Sequence, residues 1–447
     1  MRSRLMALLL FFAATIPASA AYTISVWIPT WDPNALTTVQ RHAGAMTESN
    51  PGWYTLNADG SIGRNSGAED PTMRAATTGT LLIPTIKNNA GGQFNGALVA
   101  SVLGTAAGRE SHAEALAQLV ATKGFDGIDI DYELLPGAAR GAFTNFVQLL
   151  AIKLHAAGKK LSVTVVAKTS DSPTWDGPAG EDYPALGAAV DSIKIMAYDK
   201  HYPGGPAGDI APLAWLDQIA TYAEATIPTS KIIFGLPWYG YDWAGTNATG
   251  LTYDDARHLA SNMGATITHD SDGEATFTYS GRTVYFEDAT SYSTKVSYVT
   301  SRHRIAGFAH WRAGAEDPAI WDIVSNLKSG GSTSVPATPL PKDFSINGPA
   351  SLQIRPGTTQ NATFTIAAIN GFNDAATVTA VPMDGFSGNV TTSGSVRPGT
   401  TTIVTISPSA VARPGNYRIQ VTMTSGAVTH QATLTVTIVA QRQRAVR

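Results

Sequence analysis

The sequence predicts an α/β chain: an eight-stranded (β/α)8 TIM barrel with a small insertion before strand eight, followed by an all-β immunoglobulin-like sandwich. Three observations carry this. Apolar strand patterns alternate with helical ones as far as residue 328. A stretch dominated by Ser, Thr, Gly and Pro, "SGGSTSVPATPLPK" at 329–342, then interrupts both patterns. Beyond it, apolar and Thr residues alternate with period two between Pro-Gly turns.

In the first part the candidate strands are "YTISVWIPTW", "TLLIPTIK", "GIDIDYE", "KLSVTVVAKTS", "SIKIMAYD", "KIIFGLPWYG" and "RIAGFAHWRAG". Ser111, with Glu114 three residues on, reads as a capping box that opens a helix; Leu116, Leu119 and Val120 form its buried face and Gly124 stops it. A second helix lines up Phe143, Phe146, Val147, Leu150 and Leu154 on one side and ends at Gly158. No Gly-rich phosphate loop follows the first strand, which favours a closed barrel over an open nucleotide-binding sheet. The insertion covers about residues 250–297, with a helix at "TYDDARHLASNMG" and a hairpin at "ATFTYSGRTVYFED"; it is expected to wall one side of a groove.

The sandwich strands are "TQNATFTIAAI", "ATVTAV", "TTIVTIS", "NYRIQVTMT" and "HQATLTVTIV", with turns at Pro356-Gly357, Pro398-Gly399 and Pro414-Gly415. All nine Trp precede the linker, and Tyr417 is the one Tyr after it. A module so poor in aromatic platforms reads as a spacer or protein-contact domain. The expected boundaries are 1–20 for a signal peptide, 21–328 for the barrel, 329–342 for the linker, 343–440 for the sandwich and 441–447 for a basic tail carrying Arg442, Arg444 and Arg447.

At the start, Arg2 and Arg4 precede an apolar run from Leu5 to Ile16, and Ala18, Ser19 and Ala20 supply the small residues of a cleavage site. This predicts a secretory signal peptide cleaved after Ala20 and a secreted or periplasmic protein. No later stretch is apolar enough to span a membrane, and the mature chain is expected to be a monomer. A net charge of -3 and a pI near 6.3 offer no basic field for nucleic acid. With no cysteine, disulfides are excluded and the core must carry stability.

The run "GFDGIDIDYELLPG" sets Asp126, Asp129, Asp131 and Glu133 among apolar residues, with no Lys or Arg beside them. In a strand, Asp129, Asp131 and Glu133 share one face and Ile128, Ile130 and Tyr132 the other. In a barrel the first face is the interior, and Glu133 falls at the carboxyl end, where barrel enzymes keep their active sites. Buried carboxylates this close cannot all ionise, so one holds a proton near neutral pH and can act as a general acid. A solvated edge strand is disfavoured by the apolar flanks. A calcium loop is disfavoured because "DIDYELLPGAAR" lacks the Gly and Glu positions of an EF-hand. Asp126 has the opposite parity to the other acids and reads as structural.

The run "DGIDIDYE" resembles the strand-four signature of glycoside hydrolase family 18, the chitinase-like barrels. "IKIMAYD", "GLPWYGYDW" and "GFAHWRAGAEDP" resemble that family's strands six, seven and eight, in order. "AKTS", "YFEDATSYSTK" and "WRAGAEDPAIW" resemble its spore-germination and peptidoglycan-trimming branch. The family's strand-three Ser-x-Gly-Gly is not matched; "NNAGG" at 88–92 is a partial echo, and Tyr132 stands where Trp or Phe is commoner.

The resemblance implies a retaining glycosidase acting on β-1,4-linked N-acetylglucosamine polymers (chitin, chitooligosaccharides or peptidoglycan) by substrate-assisted catalysis. It implies that Glu133 protonates the glycosidic oxygen, that Asp131 orients the acetamido group, that Asp129 shares a proton with Asp131, and that Tyr198 donates its hydroxyl. Asp199, Met196, Trp311, Tyr239 and Trp27 would bind substrate, Trp311 as the floor of the subsite. The partner implied is an N-acetylglucosamine-containing polysaccharide, with no cofactor and no metal. The alternative is a weak or inactive sugar-binding lectin on the same barrel; such lectins typically lose the acid, and Glu133 is present.

Overall fold

The computed structural model describes residues 21–439 except 91, 172–174, 331–342, 370–371 and 427. The expected signal peptide, most of the linker and the basic tail lie outside the described residues. The chain forms two compact units divided between Val335 and Pro336.

In the first unit parallel strands hydrogen-bond around a ring, a TIM-barrel-like α/β fold. Thr23–Ile28 pairs with Gly307–Trp311 on one side and with Glu48–Pro51 on the other. From Gly307–Trp311 the ladder continues through Ile232–Pro237, Ser192–Met196 and Lys160–Val166 to Gly127–Asp131. The segment 81–87 joins the two arms: Leu81–Leu82 pairs with Glu48 and Ser49, and Thr85–Lys87 pairs with Asp129, Ile130 and Asp131.

Alternation along Gly127–Asp131 places its two faces as the spacing predicts. Ile128, Ile130 and Tyr132 are buried beneath the covering helices. Tyr132 meets His112 through a 2.6 Å hydrogen bond and lies against the rings of Phe143 and Phe146. Asp129 and Asp131 point to the interior side, where Ser162, Thr85 and Lys87 of the neighbouring strands stand opposite them in register.

The strand Glu48–Pro51 is absent from the sequence-predicted strands. "ESNP" reads as a turn, yet all four residues are buried. Its polar side chains face partners inside: Asn50 accepts from Ser25 Oγ at 2.5 Å and donates to the Ile83 carbonyl at 2.8 Å, and Glu48 forms an ion pair with Lys194 at 3.4 Å. The helix expected to open at Ser111 starts earlier, spanning Ala106–Lys123 with Thr105 as its N-cap. Glu114 therefore lies on the helix surface, paired with Lys153 at 2.8 Å, and Leu119 is only partly buried. Gly124 does stop this helix, in the left-handed conformation at φ 65°. The helix Arg140–Ala156 buries Phe143, Phe146, Val147, Leu150 and Leu154.

The insertion also begins before residue 250. Gly240–Ala244, Asn247–Leu251, Thr268–His269, Ala275–Tyr279 and Arg282–Phe286 build one antiparallel sheet, and Tyr253–Met263 is its helix, closed by a Thr252–Asp255 capping box. Residues 289–297, expected in the insertion, belong to the helix Ala289–Arg302, which packs against the helices Leu213–Thr226 and Ile320–Ser329. Its buried Lys295 pairs with Glu274 at 2.8 Å and also with Glu287.

In the second unit, Asp343–Asn347, Gln360–Ile369, Thr401–Pro408 and Gly388–Thr392 form one sheet. Ser351–Ile354, Val428–Ile438, Gly415–Ser425, Ala376–Pro382 and Ser395–Val396 form the other. Alternate residues, among them Phe344, Phe364, Val404, Ile419, Val421, Leu434 and Val436, fill one apolar core.

Candidate active site

Glu133 lies two residues beyond the end of Gly127–Asp131, on a turn held from two sides. Asn88 grips its main chain: Glu133 N donates to Asn88 Oδ1 at 2.9 Å and Asn88 Nδ2 donates to the Glu133 carbonyl at 2.8 Å. The next residue, Leu134, has φ 57°, a strained value for a branched side chain. Behind it stands Gly96, where a Cβ would lie 1.7 Å from the Leu134 carbonyl oxygen, so only glycine permits the approach. The turn is built to aim one glutamate. Asn88→Ala should therefore lower kcat by roughly 10–10²-fold through misplacement of Glu133, with KM for a soluble oligomer nearly unchanged. A variant with the wild-type kcat would show that the grip is dispensable.

Burial, with Asp131 and then Asp199 nearby, pushes the Glu133 carboxyl up to about 8, against the opposing pull of Lys87. Burial also raises Asp131, although Lys87 Nζ lies 3.1 Å from its Oδ2. Asp131 Oδ1 is buried and has no hydrogen-bond partner among the described residues. Tyr198 is raised by burial and by the facing Asp131 and Glu133. Asp199, in the left-handed region at φ 60°, accepts from Tyr239 at 2.5 Å and from Tyr241 at 3.0 Å. Burial raises its carboxyl and these two hydroxyls hold it down.

Asp129, expected to share a proton with Asp131, is engaged elsewhere. Its oxygens accept from Trp27 Nε1 at 3.1 Å, Thr85 at 3.0 Å, Ser162 at 2.5 Å and Thr164 at 3.2 Å, with Lys194 Nζ at 3.5 Å. A carboxylate has about four lone-pair sites, so this one is filled. No hydrogen bond joins the two aspartates; the partner of Asp131 is Lys87. Trp27 is not an open platform either: it is 2% exposed, donates to Asp129, and braces Trp311 edge-on with ring centroids 6.5 Å apart. Tyr239 is buried, its hydroxyl committed to Asp199. Met196 and Trp311 are partly buried at the ends of their strands, and the Trp311–Arg312 peptide is cis.

Three residues of the site were not among the expected site residues, although Asn88 opens the "NNAGG" stretch at 88–92. Lys87 pairs with Asp131 and lies 4.4 Å from the centroid of the Trp311 ring. Asn88 grips Glu133. Glu181 is buried, its carboxyl accepting from Val166 N, and burial raises it well above the usual range. Lys87 was visible as the polar end of an apolar strand; its register opposite Asp131 was not.

A parallel α/β barrel holding a buried glutamate, its carboxyl pushed up to about 8, beside a second carboxyl group at the carboxyl end of a strand has the layout of a glycosidase. Comparison with known proteins specifies the class. The sequence model described as glycosyl hydrolases family 18 matches residues 89–316, and the chain belongs to that family. YdhD of Bacillus subtilis, named as a sporulation-specific glycosylase, is 35% identical over 241 residues, which are 52% of this chain and 57% of that protein. The cortical fragment-lytic enzyme of the same organism is 29% identical over 215 residues, 45% of this chain and 50% of the relative. The chain thus spans about half the length of these two relatives. A crystal structure of a chitinase from Chromobacterium violaceum superposes with a TM-score of 0.63 at 27% identity, covering 69% of this chain and 99% of that one.

Proposed function

We propose that this protein is a secreted retaining glycosidase that hydrolyses β-1,4-linked N-acetylglucosamine polymers by substrate-assisted catalysis. The observation that carries the proposal is the Glu133–Asp131 pair: a carboxyl pushed up to about 8, next to an aspartate whose Oδ1 is buried without a hydrogen-bond partner among the described residues. A buried acceptor left empty is costly, and an acetamido N–H would fill it. In this reading Glu133 gives its proton to the glycosidic oxygen. The carbonyl oxygen of the 2-acetamido group attacks the anomeric carbon and the leaving sugar departs with the proton. Asp131 steadies the positive charge on the ring nitrogen, Tyr198 donates to the oxygen side, and Trp311 floors the sugar. Asp199 holds the rim through Tyr239 and Tyr241. Glu133 then takes a proton from water, which opens the ring intermediate with overall retention.

The relatives are named as a glycosylase, a cortical fragment-lytic enzyme and a chitinase; chitin and peptidoglycan, both polymers that contain N-acetylglucosamine, are the substrates to test. The second unit reads as an immunoglobulin-like sandwich, a spacer or protein-contact domain by its scarcity of aromatic residues. A hydrogen bond from the Tyr417 hydroxyl to the Arg413 carbonyl, 3.1 Å long at the start of a strand, supports this, since such sandwiches use that tyrosine corner. Incubation of the purified protein with purified peptidoglycan and with chitin oligomers, followed by mass spectrometry of the products, tests the function. Fragments ending in N-acetylglucosamine are expected from at least one; a folded protein that cleaves neither overturns the reading.

A further inference from the structure

We propose that Lys87 is the positioning residue that decides which carboxyl of the Asp131–Glu133 pair keeps the proton. The inference rests on Glu133 being the proton donor. The two acids lie two residues apart, and a glycosidic oxygen can be protonated only if the shared proton sits on Glu133 while Asp131 is anionic. Two arrangements could enforce this. Asp129 could take up the proton of Asp131, but its oxygens are already filled by Trp27, Thr85, Ser162 and Thr164, with Lys194 beside them. The other arrangement is a cation placed on Asp131 alone, and Lys87 supplies it.

Lys87 and Asp131 are register partners across the parallel ladder, so their side chains leave the same face side by side. The ammonium reaches Asp131 Oδ2 at 3.1 Å. It is kept there by the ring faces of Trp311, with the centroid 4.4 Å away, and of Phe94, with the centroid 5.8 Å away. The other charged or titratable groups facing Asp131 are Asp129 and Glu133 on its own segment, Lys194 of Ser192–Met196 with Tyr198 just beyond that strand, and Glu181. Of the two cations, Lys194 is spent between Asp129 and Glu48. Lys87 is left as the group in contact with Asp131. Both acids feel it, but Asp131 is in direct contact and Glu133 is not, so the difference between them widens in the direction catalysis needs.

Lys87→Met keeps the length and apolar stem of the side chain and removes the charge. Asp131 should then hold its proton to higher pH. The acid limb of kcat/KM on a chitin oligomer should move up by about one pH unit, about a tenfold loss of activity at pH values on that limb, and Lys87→Arg should return the limb toward wild type. A lysine that only packs on Trp311 would change KM and leave the limb in place, and that outcome overturns the proposal. A second measurement does not depend on turnover. Infrared titration of protonated carboxyl groups in the full chain, with the Asp131 band identified by its loss in Asp131→Asn, should show an Asp131 midpoint about one unit higher in Lys87→Met than in wild type. Equal midpoints overturn the role of Lys87 even if the protein hydrolyses no substrate offered. A wild-type protein without turnover, but with the midpoint shifted, sinks the function and leaves the lysine's role standing.

Discussion

Glu133→Gln should lower kcat by at least ~10²-fold while the protein folds and binds oligomer as before. The side chains are nearly isosteric. What fixes the turn is main chain, the two hydrogen bonds to Asn88 and the close approach at Gly96, and neither depends on the carboxyl. What disappears is the proton. The wild-type pH dependence should report the same group. Glu133 is held up at about 8, so it is protonated below that pH and ionised above it. A general acid is active only while protonated, so kcat/KM should fall as pH rises through about 8, and the residual activity of Glu133→Gln should lack that alkaline limb. Steady-state hydrolysis of a fluorogenic N-acetylglucosamine oligomer across pH measures both. Normal turnover in the variant would remove Glu133 from the chemistry. No turnover in the wild type, with oligomer binding intact, would favour the lectin reading.

The parts of this architecture legible in the sequence are those where local pattern and tertiary role agree. The row from Asp129 to Glu133 is legible because period-two alternation fixes which residues face inward, whatever they face. Helix ends at Gly124 and Gly158 are legible because both take positive φ, 65° and 67°. Other features fail for identifiable reasons. "ESNP" has the composition of a turn, and only a polar barrel interior, with Asn50 and Glu48 finding Ser25 and Lys194, makes it a strand. The helix start moved from Ser111 to Thr105 because a capping-box spacing can occur inside a helix, where Glu114 finds Lys153 instead. Trp27 was readable as an aromatic on a strand but not as buried; that depends on its indole N–H reaching an aspartate 102 residues away. Lys87 and Asn88 stand one and two strand positions past Ile86, and nothing local reveals that register sets them against Asp131 and Glu133. Pair relations across strands need the fold, while facing within a strand does not.

Oligomers of glucose, which lack the acetamido group, should not be cleaved, at a loss of at least ~10³-fold relative to N-acetylglucosamine oligomers of equal length. That loss is the scale of an absent nucleophile acting through an effective molarity. The reason lies in where the carboxyl groups stand. An ordinary retaining glycosidase sets its nucleophile ~5–5.5 Å from the acid on the far side of the scissile bond, and an inverting one leaves ~6.5–9.5 Å for a water. Asp131 and Glu133 are two positions apart along one segment, with α-carbons roughly 6.6 Å apart at ~3.3 Å per residue, and both leave the same wall. Neither can attack the opposite face of the sugar while the other protonates its leaving oxygen. Asp131 is further constrained by Lys87 on its Oδ2, which leaves Oδ1 to meet a donor rather than to attack carbon. In the function proposed above the nucleophile is then the substrate's own amide oxygen, the route by which family 18 departs from the two-carboxylate scheme. Three observations should come together. The first products should keep the β configuration by NMR, a thiazoline that mimics the cyclic intermediate should inhibit, and Asp131→Ala should lose kcat without losing the alkaline limb set by Glu133. Products that begin as the α anomer would show direct attack by water, and equal rates on glucose and N-acetylglucosamine oligomers would show that the acetamido group is not the nucleophile; either result overturns this mechanism.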